Sequence, residues 1–287
     1  MVWAMAIIGV IDNFIPRVAI EIGLWQFHLI RALIAIPLVI GLSIVGLGRL
    51  APRRLWAVAL RSGLIAIAML FYFSALALMP IAQALAGLFT SPIFILLISA
   101  LALRQRIGPW RVLAVVVGFA GTLIVLQPDP NDFDAMVLIP VAGGLFYAMG
   151  SVVTRTLCAG ESTVAMLLGI LVALGVCGAA GLVVLGLFPM DTVPGPDGFV
   201  TRGWVWPMWQ ATPWVLVQAW GSVAGVFLII KAYQLGEPSY VSVFEYSVMI
   251  FGPLFAWVAF GQQVTYWQVI GIALIATAGG IIALRSR

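Results

Sequence analysis

The sequence predicts an all-α protein that crosses a membrane ten times. Of its 287 residues, 63% are hydrophobic and only 8% are charged, whereas an average soluble chain has about 25% charged residues. Long apolar runs alternate with short polar turns, and at roughly 20 residues per span this length accommodates about ten spans. Backbone groups in lipid must be hydrogen-bonded within their own segment, so the runs are expected to be helices.

The ten predicted spans follow one another along the whole chain and are numbered in that order. They cover residues 2–20, 24–47, 55–78, 81–103, 109–127, 135–157, 163–187, 213–234, 238–260 and 264–284. The run at 165–187 lacks the alternation that a barrel strand would show. The first run has no basic region before it, and Asp12 and Asn13 interrupt it too early for a signal peptide.

An excess of basic residues marks one side of the predicted bundle. If the N-terminus is cytoplasmic, most of the 14 basic residues fall at cytoplasmic turns and helix ends. These residues are Arg49, Arg53, Arg54, Arg61, Arg104, Arg106, Arg111, Arg155, Lys231, Arg285 and Arg287. By the positive-inside rule, both termini are expected in the cytoplasm.

Part of the chain is duplicated. Residues 75–126 align without gaps on residues 232–283, a shift of 157 positions. Identical pairs include Ala75/Ala232, Leu78/Leu235, Ile93/Ile250, Phe94/Phe251, Leu97/Leu254, Ala102/Ala259, Gln105/Gln262, Trp110/Trp267 and Val112/Val269, and Phe89-Thr90 aligns with Tyr246-Ser247. Such duplication is typical of transporter folds. Because five spans per half is an odd number, the second half should be inverted. Two inverted repeats, at 1–127 and 128–287, are therefore predicted around a central cavity.

The first candidate site combines polar residues of spans 1 and 2. Asp12, Asn13, His28 and Arg31 lie far from the ends of their spans, where polar side chains are costly and often functional. At 1.5 Å per residue, Asp12 and Arg31 sit roughly 12–17 Å below the outer surface. They are interpreted either as a structural ion pair between two helices or as the lining of a cavity that recognises a zwitterion or an anion.

Glu245 is the second candidate, since it lies inside span 9 with Ser242, Tyr246 and Ser247 around it. Burial in apolar surroundings favours the neutral form of a carboxyl group, which makes Glu245 a candidate for proton coupling. The alternative is a structural ion pair with Arg31 or Lys231.

Aromatic, amide and hydroxyl side chains complete the predicted lining of a small-molecule pocket. They are Tyr72, Gln83, Tyr147, Ser151, Trp220 and Tyr246. Each alone is more readily explained by packing, so the prediction depends on the set. Pro80, Pro92 and Pro253 are expected to break helices near such a site.

The segment 188–212 is the one long loop, and it is rich in Pro, Gly and Trp. Its tryptophans Trp204, Trp206 and Trp209 are expected to form an interfacial belt on the outer side. A substrate lid is the alternative interpretation of this loop.

Signatures of other protein classes are missing from the sequence. It has a single histidine and a single lysine, so neither an HExxH site nor a P-loop occurs, and there is no GxSxG motif. Residues 129–134 lack the glycine of a calcium loop. An enzyme, a metal site and a cofactor are therefore not expected. The basic residues lie at turns between spans, which argues against a nucleic-acid partner.

The chain resembles the EamA branch of the drug/metabolite transporter superfamily over nearly its whole length. The residues that carry the resemblance are Ala75, Pro80, Ala84, Pro92, Gln105, Trp110, Gly118 and Gly121, then Glu245, Tyr246, Gln262, Trp267, Gly271 and Gly279. The family usually has glutamate where Gln105 and Gln262 stand here.

The resemblance implies a cavity lined mainly by helices one, three, four, six, eight and nine. This supports the candidates on those helices and leaves His28 and Arg31, on helix two, with less support. It also implies a secondary carrier of the bacterial inner membrane that works by alternating access on a small molecule, with lipid around it and a monomer as a plausible unit. Export of amino acids or related metabolites is the preferred function. Import of a small metabolite is the alternative, and a non-transporting membrane scaffold is the alternative from another class.

Overall fold

The computed structural model describes residues 1–79, 81–127 and 135–285, and these ranges contain helices and turns but no strand. Within these ranges, ten helical segments are long and apolar enough to cross a membrane, which confirms the predicted multi-pass architecture. They run Val2–Glu21, Leu24–Ile44, Leu55–Ala75, Ala84–Leu101, Pro109–Leu126, Leu138–Thr156, Thr163–Leu187, Thr212–Leu235, Pro238–Phe260 and Tyr266–Leu284.

Thirteen α-helices build these spans within the described ranges, because some spans are divided. In chain order, α1 to α13 are Val2–Asp12, Ile15–Glu21, Leu24–Ile44, Leu55–Leu78, Ile81–Leu88, Ser91–Leu101, Pro109–Leu126, Leu138–Thr156, Thr163–Leu187, Thr212–Leu235, Pro238–Val241, Val248–Phe260 and Tyr266–Arg285. A 3₁₀ stretch, Ser242–Ser247, joins α11 to α12.

Spans 1, 4 and 9 are the divided ones. Proline explains the breaks in spans 1 and 4, since Pro16 and Pro92 stand in the first turn of α2 and α6 and donate no backbone hydrogen bond. The break predicted at Pro92 is confirmed. The break predicted at Pro253 is wrong, because α12 continues through this residue and span 9 departs from the α-helix earlier, at 242–247. Pro80 lies outside the described residues.

The breaks in spans 4 and 9 contain the same side-chain hydrogen bond. The hydroxyl of Thr90 donates to the carbonyl of Gly87 over 2.6 Å, and the hydroxyl of Ser247 donates to the carbonyl of Phe244, also over 2.6 Å. The two donors, Thr90 and Ser247, are aligned by the shift of 157 positions found in the sequence, and so are the two acceptors, Gly87 and Phe244. The two copies therefore use one device to hold the chain where the α-helix is interrupted.

The two halves also meet through aligned residues. The rings of Phe89 and Tyr246 lie 6.3 Å apart. A Cβ on Gly118 would lie 3.4 Å from the Cβ of Ala278, and a Cβ on Gly121 would lie 2.9 Å from Ile275. The shift of 157 positions maps Gly118 onto Ile275 and Gly121 onto Ala278, so it converts the first of these two contacts into the second. A two-fold axis between the halves would produce such exchanges, while the inverted repeat itself stays a prediction.

Helix pairs from opposite halves form the frame of the bundle. The most extensive packing joins α7 to α13, α3 to α9 and α4 to α8, and α1 packs against α10 and α12. The backbones of α7 and α13 approach so closely that a Cβ on Gly121 would lie 2.8 Å from the carbonyl oxygen of Gly271. Glycine is required at this crossing, as in many tightly packed membrane helices.

The bundle has two distinct ends. The end that carries residues 188–212 is called the loop face, and the end that carries the turns at 45–54, 102–108, 157–162 and 236–237 is called the arginine face. On the loop face, the guanidinium of Arg202 donates to the carbonyls of Ala19 and Gly195 over 2.7 and 2.6 Å. The amide of Gln26 exchanges two 2.8 Å hydrogen bonds with the backbone of Val205. The long loop is thus fixed to the start of α3.

Candidate functional site

A cavity of about 1290 Å³ lies at the centre of the bundle. The helices that contribute to its wall include α1, α4, α8, α10 and α12. Outside the spans, the described residues that line it are Met79, Pro196, Asp197, Phe199, Gln262, Gln263 and Val264, all of them on the loop face. Because no described turn of the arginine face lines it, the cavity opens towards the loop face.

The charges in this cavity are balanced. Its described lining contains three acidic and three basic side chains in otherwise mostly apolar walls. They are Asp12, Asp197 and Glu245 on the acidic side, and Arg17, Arg31 and Arg61 on the basic side. The described lining therefore has no excess of formal charge of either sign.

Asp12 stands where the helix of span 1 is interrupted. Gln218 donates to the carbonyl of Ile11 over 2.5 Å, and Asn13 donates to the carbonyls of Gly9 and Gly252 over 2.7 and 3.2 Å. These side chains satisfy backbone acceptors at the break. The Asp12 carboxylate itself makes no hydrogen bond or ion pair with the described residues, and it lines the cavity.

Arg31 lines the same cavity from α3. Its guanidinium donates to Nδ1 of His28 over 3.2 Å and lies 5.0 Å from the ring centre of Phe27. The charges of Arg31 and Asp12 interact, yet no ion pair within 4.0 Å joins them in the described structure. The sequence interpretation as a direct ion pair between helices is therefore wrong, and both charges face shared open space.

Glu245 lies in a polar cluster with two tyrosines. Its Oε1 accepts hydrogen bonds from the hydroxyls of Tyr147, over 2.8 Å, and Tyr233, over 2.7 Å. Ser151 lies beside both hydroxyls, and only 3% of Glu245 is exposed. The predicted alternatives, ion pairs of Glu245 with Arg31 or Lys231, do not occur among the described residues.

Arg61 stands next to this cluster, although the sequence grouped it with the basic residues of the cytoplasmic end. It donates to the hydroxyl of Thr154 over 3.2 Å and to the carbonyl of Met166 over 3.3 Å. It is buried and lines the cavity. The sequence did contain a signal that Arg61 belongs to the interior, namely its position about two helical turns inside span 3. Tyr233 was also missed, because it follows Lys231 near the end of span 8.

Seven of the eleven predicted site residues line the cavity. They are Asp12, Asn13, Arg31, Tyr72, Tyr147, Ser151 and Glu245. Their roles in binding stay predictions, but the structure brings them to one place from spans that are distant in sequence.

Of the other four predicted site residues, three lie outside the cavity lining, and the side chain of the fourth is not among those that the structure describes. Trp220 is 62% exposed on the outer surface of α10, so its placement in the cavity was wrong. His28 is fully buried, with its ring 4.8 Å from that of Phe73, and Tyr246 is buried against Gly118. Neither lines the cavity, because both are enclosed by neighbouring helices. Gln83 belongs to α5, but its side chain lies outside the described part of the structure.

Known proteins similar to this chain are transporters. The model of the EamA-like transporter family matches residues 1–127. A riboflavin transporter of Rhizobium johnstonii is 30% identical over 234 residues, which are 82% of this chain and 72% of that protein. A riboflavin transporter of Vibrio cholerae is 29% identical, and the match spans 71% of this chain and 62% of that protein.

More distant relatives extend this comparison. An S-adenosylmethionine uptake transporter of Rickettsia bellii is 21% identical, and the match spans 84% of this chain and 76% of that protein. A protein of known crystal structure superposes with a TM-score of 0.79 at 22% identity, over 98% of this chain and 94% of that one. At this identity, the superposition shows that the two share a fold.

Proposed function

Because the chain belongs to the EamA-like transporter family, we propose that it takes up a small metabolite across the bacterial inner membrane by alternating access. The relative named as an S-adenosylmethionine uptake transporter supports import, which was the alternative in the sequence interpretation, and the riboflavin transporters support a substrate other than an amino acid. A membrane scaffold would have a closely packed interior, and the central cavity of about 1290 Å³ argues against that function.

The charge-balanced cavity is the observation that carries this proposal. Riboflavin is a neutral molecule with a planar ring system and a hydroxylated chain. The apolar walls suit the ring, and cavity-lining groups such as Tyr72, Asp12 and Arg31 can form hydrogen bonds with the hydroxyls. We infer that the substrate is a neutral or zwitterionic metabolite that contains a planar heterocycle, with riboflavin as the first candidate.

The direction of the opening agrees with loading from outside. With both termini in the cytoplasm, as the arginine distribution predicts, the loop face is external and the cavity is open outwards. On the arginine face, Arg111 forms an ion pair with Glu237 at 2.7 Å, and Arg155 donates to the carbonyl of Gln234. In this proposal, such contacts close the cytoplasmic side until substrate is bound.

Uptake into proteoliposomes tests the proposal. Wild type, Asp12→Asn and Trp220→Ala are reconstituted and given labelled riboflavin, S-adenosylmethionine or a mixture of amino acids. We expect saturable riboflavin uptake in wild type and in Trp220→Ala, whose substitution lies outside the cavity, and a strong reduction in Asp12→Asn. Flux of amino acids alone would restore the exporter interpretation, and flux of none of these compounds would overturn the proposed substrate class.

A further inference from the structure

The arginine face contains a second concavity, of about 320 Å³, between the ends of α3 and α10 and the start of α9. It is called the basic groove, and Arg49, Arg53 and Lys231 form its rim. Its other lining residues are Leu47, Gly48, Ala159, Gly160, Glu161, Ser162, Thr163, Gln234 and Leu235. None of the proposed substrate-binding residues belongs to it.

The floor of the basic groove is held by hydrogen bonds. Both carboxylate oxygens of Glu161 accept backbone N–H groups, from Arg53 and Arg54, each over 2.7 Å. The amide of Gln234 donates to the carbonyl of Glu161 over 2.8 Å and accepts from the hydroxyl of Thr163 over 2.6 Å. The polar groups of the floor are thereby satisfied, so the groove exists before any ligand arrives.

The cations of the rim, in contrast, have no partner. Arg49, Arg53 and Lys231 make no side-chain hydrogen bond or ion pair with the described residues. The one carboxylate in the groove, that of Glu161, is already occupied by two backbone N–H groups. Three unpaired positive charges around a preformed concavity are suited to an anion with several oxygen atoms, such as a phosphate.

Apolar side chains extend from this rim into the region that lipid would occupy. Leu47 and Leu235 line the groove and are 55% and 71% exposed. Ile44 and Val45, at the end of α3, are exposed as well. A ligand that combines a phosphate with acyl chains can use both the cations and these apolar surfaces. Inorganic phosphate can use only the cations.

We propose that the basic groove binds the headgroup of an anionic phospholipid. Basic pockets between helix ends are suited to such headgroups, and a cation near the membrane surface contributes about a fivefold gain in affinity for anionic lipid. Since Arg49 and Arg53 precede residue 128 and Lys231 follows it, the lipid bridges the two halves of the chain at the arginine face. The binding does not depend on the direction of transport or on the substrate.

Native mass spectrometry of the full-length protein in neutral detergent measures this binding. The lipids are phosphatidylglycerol and phosphatidylcholine with identical acyl chains, and inorganic phosphate is tested separately by the thermal stability of the protein. The test variant is Arg49→Gln/Arg53→Gln, which leaves the backbone bonds to Glu161 in place. The matched control is Arg104→Gln/Arg106→Gln, which removes two exposed charges from the same face outside the groove.

We expect wild type to prefer phosphatidylglycerol and the test variant to bind it about 25-fold more weakly. The control should change by less than about twofold. Lys231→Gln should weaken binding about fivefold, and this single exposed substitution decides the matter if the double variant does not fold.

Three results would overturn the proposal. Equal weakening in the test and control variants would indicate general surface charge rather than a site. Equal binding of phosphatidylcholine would remove the role of the anionic headgroup. Stabilisation by inorganic phosphate that equals the effect of phosphatidylglycerol, and is lost in the test variant, would identify a phosphate site that does not use acyl chains.

Discussion

Two carboxylates that line the central cavity from within the spans, Asp12 and Glu245, are held in opposite ways. Glu245 is fixed by the hydroxyls of Tyr147 and Tyr233. Asp12 has no side-chain partner among the described residues. Asn13 and Gln218 donate hydrogen bonds to backbone carbonyls near Asp12, not to its carboxylate. The carboxylate in one region of the cavity is thus held by two hydroxyl donors, and the carboxylate in the other region has no side-chain partner.

This difference indicates how the two regions would take part in transport. A charged group that lacks partners in a largely apolar site gains much from a ligand that supplies hydrogen bonds. A carboxylate that already has two donors gains less from a ligand and is better suited to a change of its own protonation. We therefore propose that Asp12 and Arg31 contact the substrate and that Glu245 controls the cycle.

The largest effect is expected at Asp12. Asp12→Asn should lower the initial rate of substrate uptake about 10- to 100-fold, since a hydrogen bond to a charged group contributes about 1.5–3 kcal/mol. The melting temperature should stay within a few degrees, because the carboxylate has no protein partner to lose. Uptake assays and thermal unfolding on one preparation measure both. A large loss of stability with normal uptake would assign Asp12 to structure instead.

At Glu245, a smaller loss and a changed pH profile are expected. If Glu245 carries the coupled proton, wild-type uptake falls as external pH rises, because fewer carboxyl groups are protonated. Glu245→Gln should remove this dependence and lower uptake about tenfold. The measurement is uptake between pH 5.5 and pH 8.5, with Asp12→Asn as the companion variant. Proton coupling through these carboxylates is rejected if neither substitution alters the profile.

The tyrosines are expected to contribute less than the carboxylate that they hold. Tyr233→Phe and Tyr147→Phe each remove one hydrogen bond from Glu245, which should lower stability by about 1 kcal/mol. The double variant should lose more than the two single effects together, because it leaves Oε1 of a buried carboxylate bare. Thermal unfolding of all three proteins measures the coupling, and strict additivity would contradict a shared network.

The smallest effect is expected at Trp220. Trp220→Ala should leave uptake within about twofold of wild type, since the indole lies on the outer surface of α10. The same uptake assay supplies the measurement. A loss as large as that of Asp12→Asn would mean that the surface of α10 takes part in transport, and it would weaken the distinction drawn between the two carboxylates.

The architecture could be predicted from the sequence because membrane insertion depends on length and hydropathy. The predicted span 213–234 differs from the observed Thr212–Leu235 by one residue at each end. The break of span 9 was misplaced at Pro253. A proline inside an apolar segment does not reveal whether neighbouring helices allow the helix to continue, and here α12 does continue.

The site could be predicted only in part, for a reason specific to membranes. Glu245, Tyr147 and Ser151 were found because polar residues are rare within spans. Trp220 was misassigned because a helix between lipid and an apolar core is hydrophobic on both sides, so its sequence does not show which side faces inwards. Tyr233 was missed because tyrosines near span ends are commonly interfacial.

The two aligned breaks of spans 4 and 9 differ in shape, although the same hydrogen bond holds each one. The first is a short turn at Phe89-Thr90, and the second is the longer 3₁₀ stretch Ser242–Ser247. If the halves are inverted repeats, reversing the cavity requires each half to adopt the shape of the other. Residues 242–247 would then become α-helical while residues 85–90 take the 3₁₀ form. Amide exchange should therefore change in opposite directions at the two segments, and parallel changes would contradict this. Under that relation, the geometry of the inward-facing conformation is already present in this structure, divided between its two halves.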